Sequence, residues 1–192
     1  PKILLFVLHG YGMPAYNFLQ EFKELNNKNF LIVSPEGLSR FYTKGFYGNI
    51  GASWMTSEDR QNEITDYVNY LDEVYNEVLS SLESKPDKII FLGFSQGGAT
   101  VARWAVNGKS EANIFIIHSS DIPKDVDFDS LKEKSDKMKI HCVYGDEDKA
   151  VRKENFESSL NLLKEKNINF TLHSFHGGHE VNIESIKKII TA

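Results

Sequence analysis

Much of what would take a chain out of the ordinary soluble class is missing here. Among 192 residues there is one cysteine, Cys142. A single thiol cannot close an internal disulfide, so a disulfide-stapled secreted scaffold is excluded and a cytoplasmic setting is expected. Cys142 sits in the apolar run Ile140–Tyr144 and reads as a small core residue rather than a nucleophile. No apolar run approaches the ~20 residues of a membrane-spanning helix, so no integral membrane association is expected. The opening Lys2–Leu8 is short and lacks a small-residue cleavage site, which reads as a strand and not a signal peptide. Positive charge is in deficit, with 22 Lys and Arg against 27 Asp and Glu and a net charge of −5. That balance argues against a general affinity for nucleic acid or anionic membrane. Repeats, low-complexity tracts and linkers are absent too. The length suits one substantial core, hence a single domain over residues 1–192.

What is present alternates. Ile3–Leu8, Phe30–Val33, Lys88–Leu92, Asn113–Ile117, Ile140–Tyr144 and Phe170–Leu172 are short apolar runs, the mark of parallel strands buried on both faces. Between them lie segments of helical period. Tyr16–Leu25 follows Pro14, and Asn62–Leu82 repeats Ile64, Tyr67, Val68, Leu71, Tyr75 and Val78. Further helices are expected near Ala99–Asn107, Asn155–Lys166 and Val181–Ile190. Phe41–Trp54 is rich in aromatic residues and glycine without a period and reads as a long loop, while Asp125–Asp136 reads as charged surface. Strand–helix alternation on this scale means an α/β fold, a mostly parallel sheet of about six strands with helices on both faces.

One of these strands carries chemistry. Ile89–Leu92 runs into Gly93-Phe94-Ser95-Gln96-Gly97, and a helix-compatible segment follows. Strand, sharp turn and helix are the context of a nucleophile elbow, in which the glycines remove Cβ atoms that would collide across the turn. The plain alternative is a serine that merely caps the helix. A serine hydroxyl is a feeble nucleophile and needs a base, and the base needs an orienting group. Two later strands lead into loops with the right residues. Gly145-Asp146-Glu147-Asp148 offers three acids, and His173, His176 and His179 lie in and beside the last loop. Both loops follow strand C-termini, where ligands collect in open α/β sheets.

Four motifs together resemble the phospholipase/carboxylesterase branch of the α/β-hydrolases, which includes the acyl-protein thioesterases. They are Leu8-His9-Gly10-Tyr11-Gly12, Gly93-Phe94-Ser95-Gln96-Gly97-Gly98, Gly145-x-x-Asp148-x-x-Val151 and Gly178-His179-Glu180-Val181, and they span nearly the whole chain in order. The resemblance implies a Ser95–His179–Asp148 triad and an oxyanion hole made by the backbone N–H groups of Tyr11 and Gln96. Asp146 and Glu147 are near enough in sequence to compete with Asp148. His9 is implied to be a scaffold residue beside the oxyanion loop. Trp54, Met55 and Ile122 are suggested as substrate-pocket residues, against a plain reading of Trp54 as core. Two departures stand out: family members carry more chain ahead of the first strand, and Asp121 brings a charge to the site mouth, which argues against long acyl chains.

Rival readings are weaker. His176 and His179 are three apart, but no cysteine or ordered acid cluster accompanies them, so no metal is expected. Gly10-x-Gly12-x-x-Ala15 with Glu36 about twenty residues on formally matches a dinucleotide fingerprint. Pro14, however, removes an N–H where a pyrophosphate needs donors. The expectation is therefore a cofactor-free serine hydrolase, monomeric or homodimeric. It would cleave small-molecule esters or thioesters of small to medium acyl groups. The alternative is a hydrolase-fold protein that binds a ligand or partner without efficient turnover; peptidase or lactonase chemistry on the same triad is also compatible.

Overall fold

Strand β1 (Ile3–Leu8) divides its side chains by parity: Leu4, Phe6 and Leu8 enter one core cluster, Leu5 and Val7 another. Successive residues of a strand face opposite ways, so a continuous apolar run must be covered on both sides. The same division recurs in β5 (Lys88–Phe94) and β6 (Ile114–His118), where Phe91 and Phe115 face one cluster and Leu92 and Ile116 the other. These strands lie in the middle of a six-stranded sheet in the computed structural model, which describes residues 1–191. With β2 (Phe30–Val33), β7 (Lys139–Gly145) and β8 (Phe170–Phe175) the order is β2-β1-β5-β6-β7-β8, and all five pairings are parallel. The strand expectation is met.

Helices cover both faces. On one side pack α2 (Arg60–Ser81), α3 (Gln96–Asn107), α4 (Phe128–Ser135) and α5 (Lys153–Glu165). On the other lie α1 (Ala15–Leu19) with the 3₁₀ turns that continue it, and α6 (Ile183–Thr191). Helix α3 is anchored by Trp104, fully buried, stacked on Phe91 with centroids 3.8 Å apart and donating its indole N–H to Asp72 at 2.9 Å. Truncating such a residue to alanine costs about 3–5 kcal/mol. Because α3 follows the Ser95 turn, that anchor also holds the turn.

Three local expectations need correction. The period over Tyr16–Leu25 is helical only to Leu19; Gln20–Leu25 is a 3₁₀ segment, which still delivers Phe22 and Leu25 to the core. Phe41–Trp54 is no loop. Its ends form an antiparallel hairpin of β3 (Ser39–Tyr42) and β4 (Ile50–Ser53), whose four-residue strands are too short to show a period. Asp125–Asp136 is more than charged surface. It contains α4, capped by the Asp127 carboxylate and burying Phe128 and Leu131, and Asp125 pairs with the buried guanidinium of Arg103 at 3.0 Å.

Candidate active site

Ser95 stands in the turn between β5 and α3 with φ 55° and ψ −122°. A non-glycine residue keeps such a backbone only where its surroundings enforce it. Its N–H donates to the His118 carbonyl at 3.0 Å, and the Gly98 N–H returns to the Ser95 carbonyl at 2.9 Å. A Cβ on Gly93 would strike the Gly97 carbonyl, and one on Gly97 the Leu8 carbonyl. Only glycine lets β5, β1 and α3 approach this closely.

The loops after β7 and β8 are zipped together beyond their strands. Asp146 N–H donates to Phe175 O at 3.0 Å and Glu147 N–H to Gly177 O at 2.9 Å. This brings Asp148 under His179, with Oδ2 2.8 Å from Nδ1. The other carboxylate oxygen accepts the N–H groups of Ala150 at 2.8 Å and Val151 at 3.1 Å. Burial pushes the Asp148 carboxyl up, but hydrogen bonds from His179, Val151 and Ala150 outweigh it and hold the group below its ordinary range. An ionised carboxylate only accepts, so His179 Nδ1 carries the proton. Nε2 is then a free acceptor, 2.9 Å from Ser95 Oγ.

The competing acids and histidines go elsewhere. Asp146 accepts the Gly177 N–H at 3.1 Å and lies 3.3 Å from the exposed His176 ring. The Glu147 side chain is exposed, and His173 pairs with His141 at 3.0 Å across β7 and β8. Glu36, the ribose-binding candidate of the dinucleotide reading, instead accepts the Ala15 N–H at the start of α1, at 2.9 Å.

In the loop after β1, His9 is buried and neutral. Nδ1–H donates to the Gly10 carbonyl at 2.8 Å and Nε2 accepts the Gly37 N–H at 2.9 Å, while burial lowers its pKa. Gly12 N–H is held by the Ala52 carbonyl of β4 at 2.8 Å, and Met13 N–H by Gly10 O at 3.2 Å. Among the described residues the amides of Tyr11 and Gln96 have no backbone acceptor. The Gln96 side chain is turned back onto Ser53, Trp54 and Met55.

His118, at the end of β6, carries a role that sequence reasoning missed. Its ring is fully buried; Nε2 accepts the Asn182 N–H at 2.9 Å and Nδ1 lies 3.1 Å from Ser119 Oγ. Burial, with His179 nearby, pushes its pKa down to about 3 against the pull of Asp148, so the ring is neutral. One residue thus ties the His179 loop through its side chain and the Ser95 turn through its carbonyl. The available signal was a histidine closing a strand that is otherwise buried on both faces.

Two hollows open beside Ser95. One, about 300 Å³, is lined by Gly10, Tyr11, Met13, Phe94, His179 and Val181, with Glu21 and Glu180 also in its wall. The other, about 310 Å³, is lined by Ser119, Ser120, Asp121, Arg152 and Asn155 among others. The expected pocket residues line neither. Trp54 is 1% exposed, stacks on His9 and donates to its carbonyl at 2.9 Å; Ile122 is buried under α5; Met55 sits with its sulfur 3.5 Å from Arg103. These apolar side chains pack inward, and of their sequence neighbours Asp121 lines a hollow. A larger cavity of about 540 Å³ lies at the opposite end of the sheet. It contains no serine–histidine pair, and its Lys134 is engaged with the α3 carbonyls of Ala105 and Val106.

No curated protein matches the chain. Solved structures share its fold at low identity. Arabidopsis thaliana SOBER1 superposes with a TM-score of 0.75 at 16% identity, covering 100% of this chain and 97% of that one. Zea mays acyl-protein thioesterase 2 gives 0.74 at 20%, covering 99% and 91%. The Bacillus cereus carboxylesterase gives 0.72 at 16%, covering 98% and 85%. Among the described residues no helix is long and apolar enough to cross a membrane. The phospholipase/carboxylesterase family profile matches residues 1–192, from the first strand through the last helix, and the chain belongs to that family of α/β-hydrolases.

Proposed function

We propose that the protein is a serine hydrolase that cleaves carboxylic esters or thioesters through an acyl-enzyme. The observation that carries this reading is the unbroken relay from Asp148 Oδ2 to His179 Nδ1 (2.8 Å) and from His179 Nε2 to Ser95 Oγ (2.9 Å). Ser95 Oγ attacks the carbonyl carbon as His179 Nε2 takes its proton, and Asp148 holds the imidazole in the required tautomer and stabilises the imidazolium. The tetrahedral oxyanion is held by the uncommitted amides of Tyr11 and Gln96, at the N-terminus of α3. His179 then protonates the departing alcohol or thiol, and a water deprotonated by His179 hydrolyses the acyl-enzyme. The rival binding-protein reading expects a histidine turned away from the serine, and this one is not. A cytoplasmic setting, a small-molecule substrate and a monomer or homodimer remain part of the proposal; the lone thiol, Cys142, is buried.

The test is turnover of p-nitrophenyl esters from acetate to octanoate by wild type and Ser95→Ala. The expected result is a fall of at least a thousandfold in kcat/KM for the variant. Equal rates in both, or no turnover of any ester or acyl-thioester by wild type, would sink the proposal.

A further inference from the structure

The two hollows beside Ser95 are chemically unlike, and the proton path assigns them. His179 must deliver its proton to the departing oxygen or sulfur, so the leaving group lies over His179. His179 lines the hollow of Met13, Phe94 and Val181 and is absent from the other. With the oxyanion directed at Tyr11 and Gln96, the acyl substituent is left the second hollow. This assignment rests on the serine-hydrolase reading above.

That second hollow is a poor place for an alkyl chain. Asp121, Arg152 and Asn155 line it beside the small apolar side chains of Ala99, Ala150 and Val151, and none of the three polar side chains is engaged in a hydrogen bond or ion pair among the described residues. An alkyl chain laid there would strip water from charged groups and return nothing to them. Of the two charges, Asp121 is the half-buried one, directly after Ser119 and Ser120 at the end of β6, whereas Arg152 is exposed at the rim. A partly desolvated carboxylate with no partner in the protein gains most from a cation. We propose that the acyl subsite selects short polar acyl groups bearing an ammonium, the aminoacyl class, and that Asp121 is the residue that selects them. Hydrolysis of β-alanine ethyl ester is then water addition across the ester bond through acylated Ser95, giving β-alanine and ethanol.

The experiment compares acyl groups of nearly the same shape at pH 7, following acid release in a pH-stat. The substrates are β-alanine ethyl ester (cationic), ethyl butanoate (neutral) and monoethyl succinate (anionic), with ethyl octanoate for length. The expected kcat/KM for β-alanine ethyl ester exceeds that for ethyl butanoate at least tenfold, with octanoate slowest. In Asp121→Asn the cation preference falls at least tenfold. Covalent labelling of Ser95 by a small fluorophosphonate checks that the variant's site is intact. Preference for butanoate or octanoate, or a ratio unmoved in Asp121→Asn, overturns the inference. So does a succinate preference that is lost in Arg152→Gln, which would make Arg152 the selecting residue. Wild type that hydrolyses butanoate without discrimination defeats this inference alone. Wild type that hydrolyses no ester and takes no label on Ser95 defeats the reading beneath it as well.

Discussion

Asp146 and Asp148 are two residues apart, yet their carboxylates meet different residues of the loop after β8. Asp146 fastens Gly177 near the surface, while the fully buried Asp148 side chain meets His179. Asp148→Asn is therefore expected to lower kcat by about 10³–10⁴, because an amide no longer enforces the Nδ1–H tautomer. Asp146→Asn should stay within about tenfold of wild type, since its bonds are exposed and add little. Steady-state kinetics on both variants decides the matter, and a larger loss in Asp146→Asn would reverse the assignment. Spacing alone could not separate these acids. What separates them is the turn at 148–151, where the Ala150 and Val151 amides draw one carboxylate inward, and turn geometry of that kind leaves little trace in a short polar sequence. The elbow serine was legible because glycine at 93 and 97 is a steric requirement, and steric requirements show in residue type.

Elements, more than single side chains, keep the relay aligned. Gly97 lies where β1, β5 and α3 converge, and Gly97→Ala has no room for its methyl group against the Leu8 carbonyl. We expect a loss of at least about 3 kcal/mol in urea unfolding or failure to accumulate as folded protein, in line with other severe overpacking. A variant as stable as wild type would show that the turn can relax. The tie made by β6 through His118 is testable through pH. Its folded pKa of about 3 lies below the 6.5 of an ordinary histidine, so between those values the unfolded chain binds the extra proton. The stability this residue contributes is complete above about pH 6.5 and is lost as pH falls toward 3, at up to about 1.4 kcal/mol per pH unit. His118→Leu removes that slope, and at pH 7 it leaves the Asn182 amide without its acceptor. Urea unfolding from pH 7 to pH 4 should show a flatter decline for the variant, alongside a fall in kcat with KM little changed as the His179 loop loosens. A decline parallel to wild type would mean that His118 is not the buried neutral group described. The β3–β4 hairpin escaped the sequence because its strands are four residues long and only β3 alternates between faces. Its role becomes visible only in space, where the Ala52 carbonyl pins Gly12 beside the Tyr11 amide.

Across the whole molecule, the parallel sheet is what gathers residues 95, 148 and 179. Each lies just beyond the C-terminal end of β5, β7 or β8, and β5 and β7 are both hydrogen-bonded to β6. Double-faced apolar runs announced that sheet, since a strand covered on both sides has no polar positions to spare. Of the two hollows' linings the sequence announced Asp121 and the elbow, histidine and glycine-loop residues, but not the apolar wall of Met13, Phe94 and Val181. Trp54 and Ile122 look like pocket residues by type, but their direction is set by packing against His9 and α5, which no local pattern encodes. The proposed hydrolysis requires Ser95 to be an activated nucleophile, and covalent trapping tests this most directly. Intact-protein mass spectrometry after treatment with a small fluorophosphonate at pH 7.5 should show one adduct, mapped by peptide analysis to Ser95. It should be absent in Ser95→Ala and form at least a hundredfold more slowly in His179→Ala. A label on another residue, or labelling of Ser95→Ala at the wild-type rate, would contradict the account.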